Sequence, residues 1–181
     1  MLRRLFQSRT GRSDASCDAL YGQIVAAARQ ETPFADWDVP DTPIGRFEMV
    51  ALFMILTLRR LSGAGVEAER LAQSLTDLFF RETDRALRDL GVGDTRVPRR
   101  MKDMAGMFYG RAKAYGDAIG NGDVDALAAA LARNIRPDVT DWLHARHLAR
   151  HALRAAQALA EAPVGSLADG SVIFPTPDAE G

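Results

Sequence analysis

Apolar residues along this chain recur at helical spacing, and the breaks between the apolar runs fall at proline and glycine. From about Asp14 to Gln30, Leu20, Tyr21, Ile24, Val25 and Ala28 share one face, which predicts a first helix stopped by Pro33. A loop with Pro40 and Pro43 follows, pinned by Phe34 and Trp37. The second helix is predicted from Pro43 to Ser62, with Thr42 as its cap and proline in the favoured first position. Its middle is apolar nearly all round, the pattern of a helix wrapped by others, and Arg59 and Arg60 sit where cations offset the helix dipole. The third, Val66 to Leu90, carries a stripe of Leu71, Leu75, Leu78, Phe79, Ala86 and Leu87 opposite a charged face.

The fourth helix is predicted from Pro98 to Ile119 through Met101, Met104, Phe108, Ala112 and Tyr115. Gly106, Gly110 and Gly116 weaken it by up to ~1 kcal/mol each, and they suit a close approach by another backbone. A fifth runs from Asp123 to Asn134 with Val124, Leu127 and Leu131 inward, and after Pro137 a sixth runs from Asp138 to Glu161. No segment alternates long enough to predict a sheet, and no internal repeat is evident. The expectation is an all-α, compact single-domain bundle of about six helices over residues 14–162. A basic flexible N-terminus (1–13) and an extended C-terminal tail (163–181) flank it, with Ser171-Val-Ile-Phe174 a candidate to pack as one short strand or hook.

Composition changes this picture little. Hydrophobic residues make up 47% of the 181 and charged residues 26%, which suffices for a core and argues against disorder over the whole chain. The net charge of −1 gives no global sign of nucleic-acid binding. One cysteine, Cys17, excludes an intrachain disulfide and a thiolate metal cage. The longest apolar run, Met49 to Leu58, is about half of the ~20 residues that span a bilayer, so no transmembrane segment is expected and the chain is placed in the cytoplasm.

Candidate chemistry is sparse. Gly91-Val-Gly-Asp-Thr95 follows a helix rather than a strand and lacks the lysine and further glycine of a phosphate loop. His144, His147 and His151 fall at a spacing of three and four on one predicted helix face, the geometry of metal ligands. Arg146, Arg150 and Arg154 crowd that helix with positive charge, which favours a basic face without metal. Glu48, Asp77 and Asp84 are each close along the chain to an arginine (Arg46, Arg81 and Arg88), and ion pairing accounts for them more simply than acid–base catalysis. The reading is of a non-enzymatic protein with no cofactor.

Three stretches, in order, resemble the ubiquinol–cytochrome c chaperone family. They are Val39-Pro-Asp-Thr-Pro-Ile-Gly-Arg-Phe-Glu-Met49 with the apolar run ending Leu58-Arg-Arg-Leu61, Leu71 to Gly-Val-Gly-Asp94, and Val97-Pro-Arg-Arg-Met-Lys-Asp-Met-Ala105 with Phe108-Tyr-Gly-Arg111 and Ala114-Tyr115. The likeness spans about residues 17–160. The chain differs from the family pattern at Leu52-Phe53-Met54, where relatives often carry a histidine, and at Ile44, where they carry an aspartate. The resemblance implies a helical chaperone that holds nascent or newly inserted cytochrome b during assembly of ubiquinol–cytochrome c reductase (complex III), in contact with a ribosome or peripherally with the inner-membrane surface.

A chaperone of an apolar client needs an accessible apolar groove with a polar rim. Arg99, Arg100, Met101, Met104, Met107, Phe108, Tyr109, Arg111 and Tyr115 are the candidate client-binding residues, because methionine adapts to irregular partners and the basic residues surround them. Asp41, Arg46 and Asp94 are expected to order the adjoining loops. The alternative is a helical binder of a small apolar ligand (quinone, haem or lipid) around Phe53 and Phe108.

Overall fold

The structure, a computed structural model, describes residues 2–178, with side chains from residue 15 onward. The basic segment expected over 1–13 therefore lies outside the residues whose side chains are described. Among the described residues there are eight helices and no strand: α1 (Leu2–Ala28), α2 (Glu31–Ala35), α3 (Pro43–Leu61), α4 (Val66–Asp89), α5 (Val97–Asn121), α6 (Val124–Ile135), α7 (Ala145–Glu161) and α8 (Val164–Ala168). The six long ones correspond to those the apolar spacing predicts, except that α1 begins at Leu2 rather than near Asp14, so the backbone of the expected flexible N-terminus is helical from Leu2; α2 and α8 are single short turns. None is long and apolar enough to cross a membrane.

α3 is the axis of the bundle. It packs against α1, α4, α5, α6 and α7, and Met49, Leu52, Phe53 and Met54 have no exposed surface. Its start is built as the sequence suggests: the Thr42 hydroxyl accepts the Gly45 N–H at 3.1 Å. Gly45 is required there, because a Cβ at that position would fall on the carbonyl oxygen of Pro40. At the other end Arg59 and Arg60 lie in the last turn as the sequence suggests, but their hydrogen bonds go further. Arg59 and Arg60 serve neighbouring helices rather than their own: Arg59 donates to the Gly116 carbonyl of α5 at 2.8 Å, and Arg60 donates to Leu159 and Ala162 at the end of α7 at 2.7 and 2.9 Å. The last carbonyls of α7 have no partner within their own helix, so a cation from α3 closes that end.

Two expectations are corrected by the chain path. The sixth long helix starts at Ala145, not Asp138. The indole of Trp142 donates to the Trp37 carbonyl at 2.8 Å, which anchors residues 138–144 to the loop before α3 and delays the helix. The segment from Pro163 is not simply an extended tail. It forms α8, turns at Gly170, and then runs extended as a strap across the bundle, with Leu167 and Val172 buried.

Candidate functional site

α5 lies against α3 through one buried ion pair. Arg111 donates to both oxygens of Glu48 at 2.6 and 2.8 Å, and the side chains are 14% and 1% exposed. Burial pushes the Glu48 carboxyl above its usual value, while the guanidinium beside it pulls the other way. A bidentate arginine is the partner such a site needs, since an ion buried without one is expensive. Tyr115, one turn further along α5, is 1% exposed. Burial and the charge of Glu48 push its hydroxyl well up.

Next to this pair the surface is apolar. A groove of about 240 Å³ runs between α3 and α5, walled by Ile55 and Leu58 on one side and Phe108, Tyr109 and Ala112 on the other, with Arg59 and Gly116 at one end. The Phe108 ring packs on Phe79 at 5.0 Å and on Phe80 at 5.7 Å. The wall is therefore backed by the core. Tyr109 stands on it with 59% of its surface exposed.

The candidate residues separate into two groups. Met104, Phe108 and Tyr115 are buried core residues, and Arg111 is committed to Glu48. The 3.6-residue period alternates inner and outer faces along α5, so a contiguous motif cannot all face outward. Arg99, Arg100 and Tyr109 are exposed, and Met101 and Met107 are half-buried. The glycines of α5 also differ from expectation: no atom would come within 4 Å of a Cβ at Gly106 or Gly110, and Gly116 and Gly120 face the Arg59 guanidinium rather than another backbone. The sequence reading missed Ile55, Leu58, Arg59, Ala112 and Gly116. Two adjacent arginines ending an otherwise apolar helix were the available signal.

The loop residues are held by short-range pairs. Arg46 donates to both Asp41 oxygens at 2.5 and 3.1 Å, and that donation holds the Asp41 carboxyl below its usual value. They border an open hollow of about 490 Å³ that also touches Arg29, Glu31, Phe34 and Ala35. Arg88 bridges Asp84 at 2.7 Å and Asp94 at 2.5 Å. Glu48 takes Arg111 in place of the expected Arg46, and Asp77 accepts from Gln73 at 2.9 Å rather than from Arg81.

The three histidines follow one another along one side, with the His144 and His147 rings 5.5 Å apart and both His147 and His151 against Trp37, but they do not converge on one point. His144 precedes α7 and lies 3.5 Å from Asp38. His147 sits against Trp37 with ring centroids 6.1 Å apart. His151 is fully buried between Trp37 and Phe53, each 5.8 Å away. Among the described residues no group of three histidine, cysteine or acidic side chains is placed to hold a metal ion. Cys17 lies in the core face of α1.

Residues 35–174, which include α3, α5 and the groove between them, match the family described as ubiquinol–cytochrome C chaperone. No curated protein matches the chain. Among solved structures, the chain is similar to the crystal structure of the Cbp3 homolog from Brucella abortus, with 44% identity and a TM-score of 0.90 over 99% of this chain and 98% of that one. The match covers most of the chain and the fold agrees nearly end to end: this chain belongs to the ubiquinol–cytochrome c chaperone family.

Proposed function

We propose that this chain is a non-enzymatic assembly chaperone that receives cytochrome b on its way into complex III, using the groove between α3 and α5. The observation that carries the reading is the groove itself: an apolar trough backed by a rigid aromatic cluster, with the mostly exposed Tyr109 on its wall. The exposed Arg99 and Arg100 lie on the same helix, toward its start. An apolar surface with a polar rim is what an unassembled membrane segment requires of a soluble partner. Tyr109 and the half-buried Met101 and Met107 are the proposed contacts, Arg99 and Arg100 the proposed rim. The groove is smaller than the roughly 300–1,000 Å³ usual for small-molecule sites, which favours a polypeptide occupant over quinone, haem or lipid. The proposed working place is the cytoplasm, at the inner-membrane surface or a translating ribosome.

Affinity purification of the tagged chain from its native host, with a photo-cross-linking residue at position 109, tests this. Cytochrome b is expected among the cross-linked proteins, and complex III is expected to fall when the gene is deleted. An active, well-expressed protein that captures no cytochrome b, together with unchanged complex III in the deletion strain, would overturn the proposal.

A further inference from the structure

The strap after α8 does not hold itself in place. Among the described residues, no backbone–backbone hydrogen bond involves residues 172–178. Its anchors are side chains of three helices. Gln23 of α1 donates to the Gly170 carbonyl at 2.8 Å and accepts the Val172 N–H at 2.6 Å. Gln30, just past α1, donates to the Pro175 carbonyl at 3.4 Å. Phe174 stands edge-on to Phe53 of α3, 5.3 Å away, and Arg154 of α7 pairs with Asp178 at 3.2 Å. The turn into the strap is made by Gly170 at a φ of +74°, where a side chain would strike Ser16 and Ala19 of α1.

The contacts are those of a bound peptide: two glutamines read backbone groups, an aromatic seat takes one ring, and a cation takes a carboxylate four residues later. Release breaks no helix, because α1, α3 and α7 keep their own hydrogen bonds. Release also uncovers a buried polar group. His151 touches the same Phe53 that seats Phe174, it has no exposed surface, and neither ring nitrogen has a hydrogen-bond partner. A neutral imidazole carries one donor and one acceptor, no protein group pairs with either, and release opens both to bulk solvent.

We infer that the seat across α1, α3 and α7 is a peptide-binding site, held in cis by residues 171–178 and open to exchange. It takes in trans an extended segment with the strap's own pattern, an aromatic residue followed four positions later by an acidic one. This site is separate from the α3/α5 groove and does not depend on the function proposed for it.

Hydrogen exchange on the full chain is the first test. The Val172 amide is expected to exchange at least ~100-fold faster than the central amides of α3, the signature of local opening. Equal protection at the two places overturns the inference. The second test uses a chain truncated after Gly170, checked for helicity, and a synthetic Ser171–Asp178 peptide, with tryptophan fluorescence as the readout because Trp37 adjoins His151. Saturable binding with a Kd of roughly micromolar order, lost when Phe174 of the peptide is replaced by alanine and weaker but still present with the full chain, where the strap competes, is expected. A folded truncated chain that does not take up the peptide overturns it, and should truncation prevent folding, the exchange result decides alone.

Discussion

Glu48 and His151 are both buried, both titratable and both packed at the central helix, yet the fold treats them oppositely. Glu48 meets a guanidinium from α5 that matches its two oxygens. His151 meets aromatic rings and no hydrogen-bond partner at all. The α3/α5 seam is thus locked by complementary charge, while the seam under the strap is closed over an imidazole that no protein group pairs with. A fold that fixes one face and leaves another poised to open distributes its stability unevenly, and that unevenness can be tested.

Breaking the lock should have the largest effect. Arg111→Ala leaves the Glu48 carboxylate buried and alone, and the expected loss is about 3–5 kcal/mol, read as a lower urea midpoint. Acid should expose the other seam next. Burial, with Arg154 nearby, lowers the His151 pKa to about 4, against 6.5 unfolded. Between those values the unfolded chain binds a proton that the folded chain refuses, so stability falls as pH drops from 6.5 to 4, by at most roughly 3 kcal/mol. Glu48 runs the other way: its raised value means that the folded state holds the proton more tightly, so its contribution is present in acid below 4.5 and is lost as pH rises through the folded value. In a Glu48→Gln chain the acid sensitivity should therefore steepen, and in a His151→Leu chain the loss between pH 6.5 and 4 should disappear.

His151→Leu sharpens the comparison at neutral pH as well. It removes two unsatisfied polar atoms at similar volume, and a gain of up to about 1 kcal/mol is expected in urea unfolding at pH 7. The smallest effect on stability belongs to Tyr109→Ser, under about 0.5 kcal/mol because the residue is largely exposed. The same change should reduce cross-linked or co-purified cytochrome b strongly. A Tyr109 variant with normal stability and normal capture would remove this residue from the proposed groove.

The lock and the orphan also mark how far the sequence could be read. Helix identities followed from local periodicity: Leu71, Leu75 and Leu78 announce one face of α4 whatever surrounds it. The partner of Glu48 lies 63 residues away, and local spacing favoured the nearer Arg46, which the structure gives to Asp41 instead. Tyr109 and Phe108 are neighbours in sequence and opposites in burial, at 59% and 1%, so a motif quoted as a block mixes wall and core. The strap reads as a tail because Pro175 and Pro177 break any period, and only the apolar Ser171–Phe174 stretch marks it as a hook that packs. What orders it, Gln23, Gln30, Phe53 and Arg154, is spread over the whole length of the chain.

Arg60 carries a consequence for the making of the protein. The carbonyls it closes belong to residues 99 and 102 positions later, and Trp142 reaches back 105 positions to Trp37. At about 5–20 residues per second of synthesis, α3 waits on the order of 5–20 s for α7 to be made and cover it. For that interval the central helix of the bundle, which carries the longest apolar run and later walls the groove, is itself part of an unfinished polypeptide in need of shelter at the mouth of a ribosome.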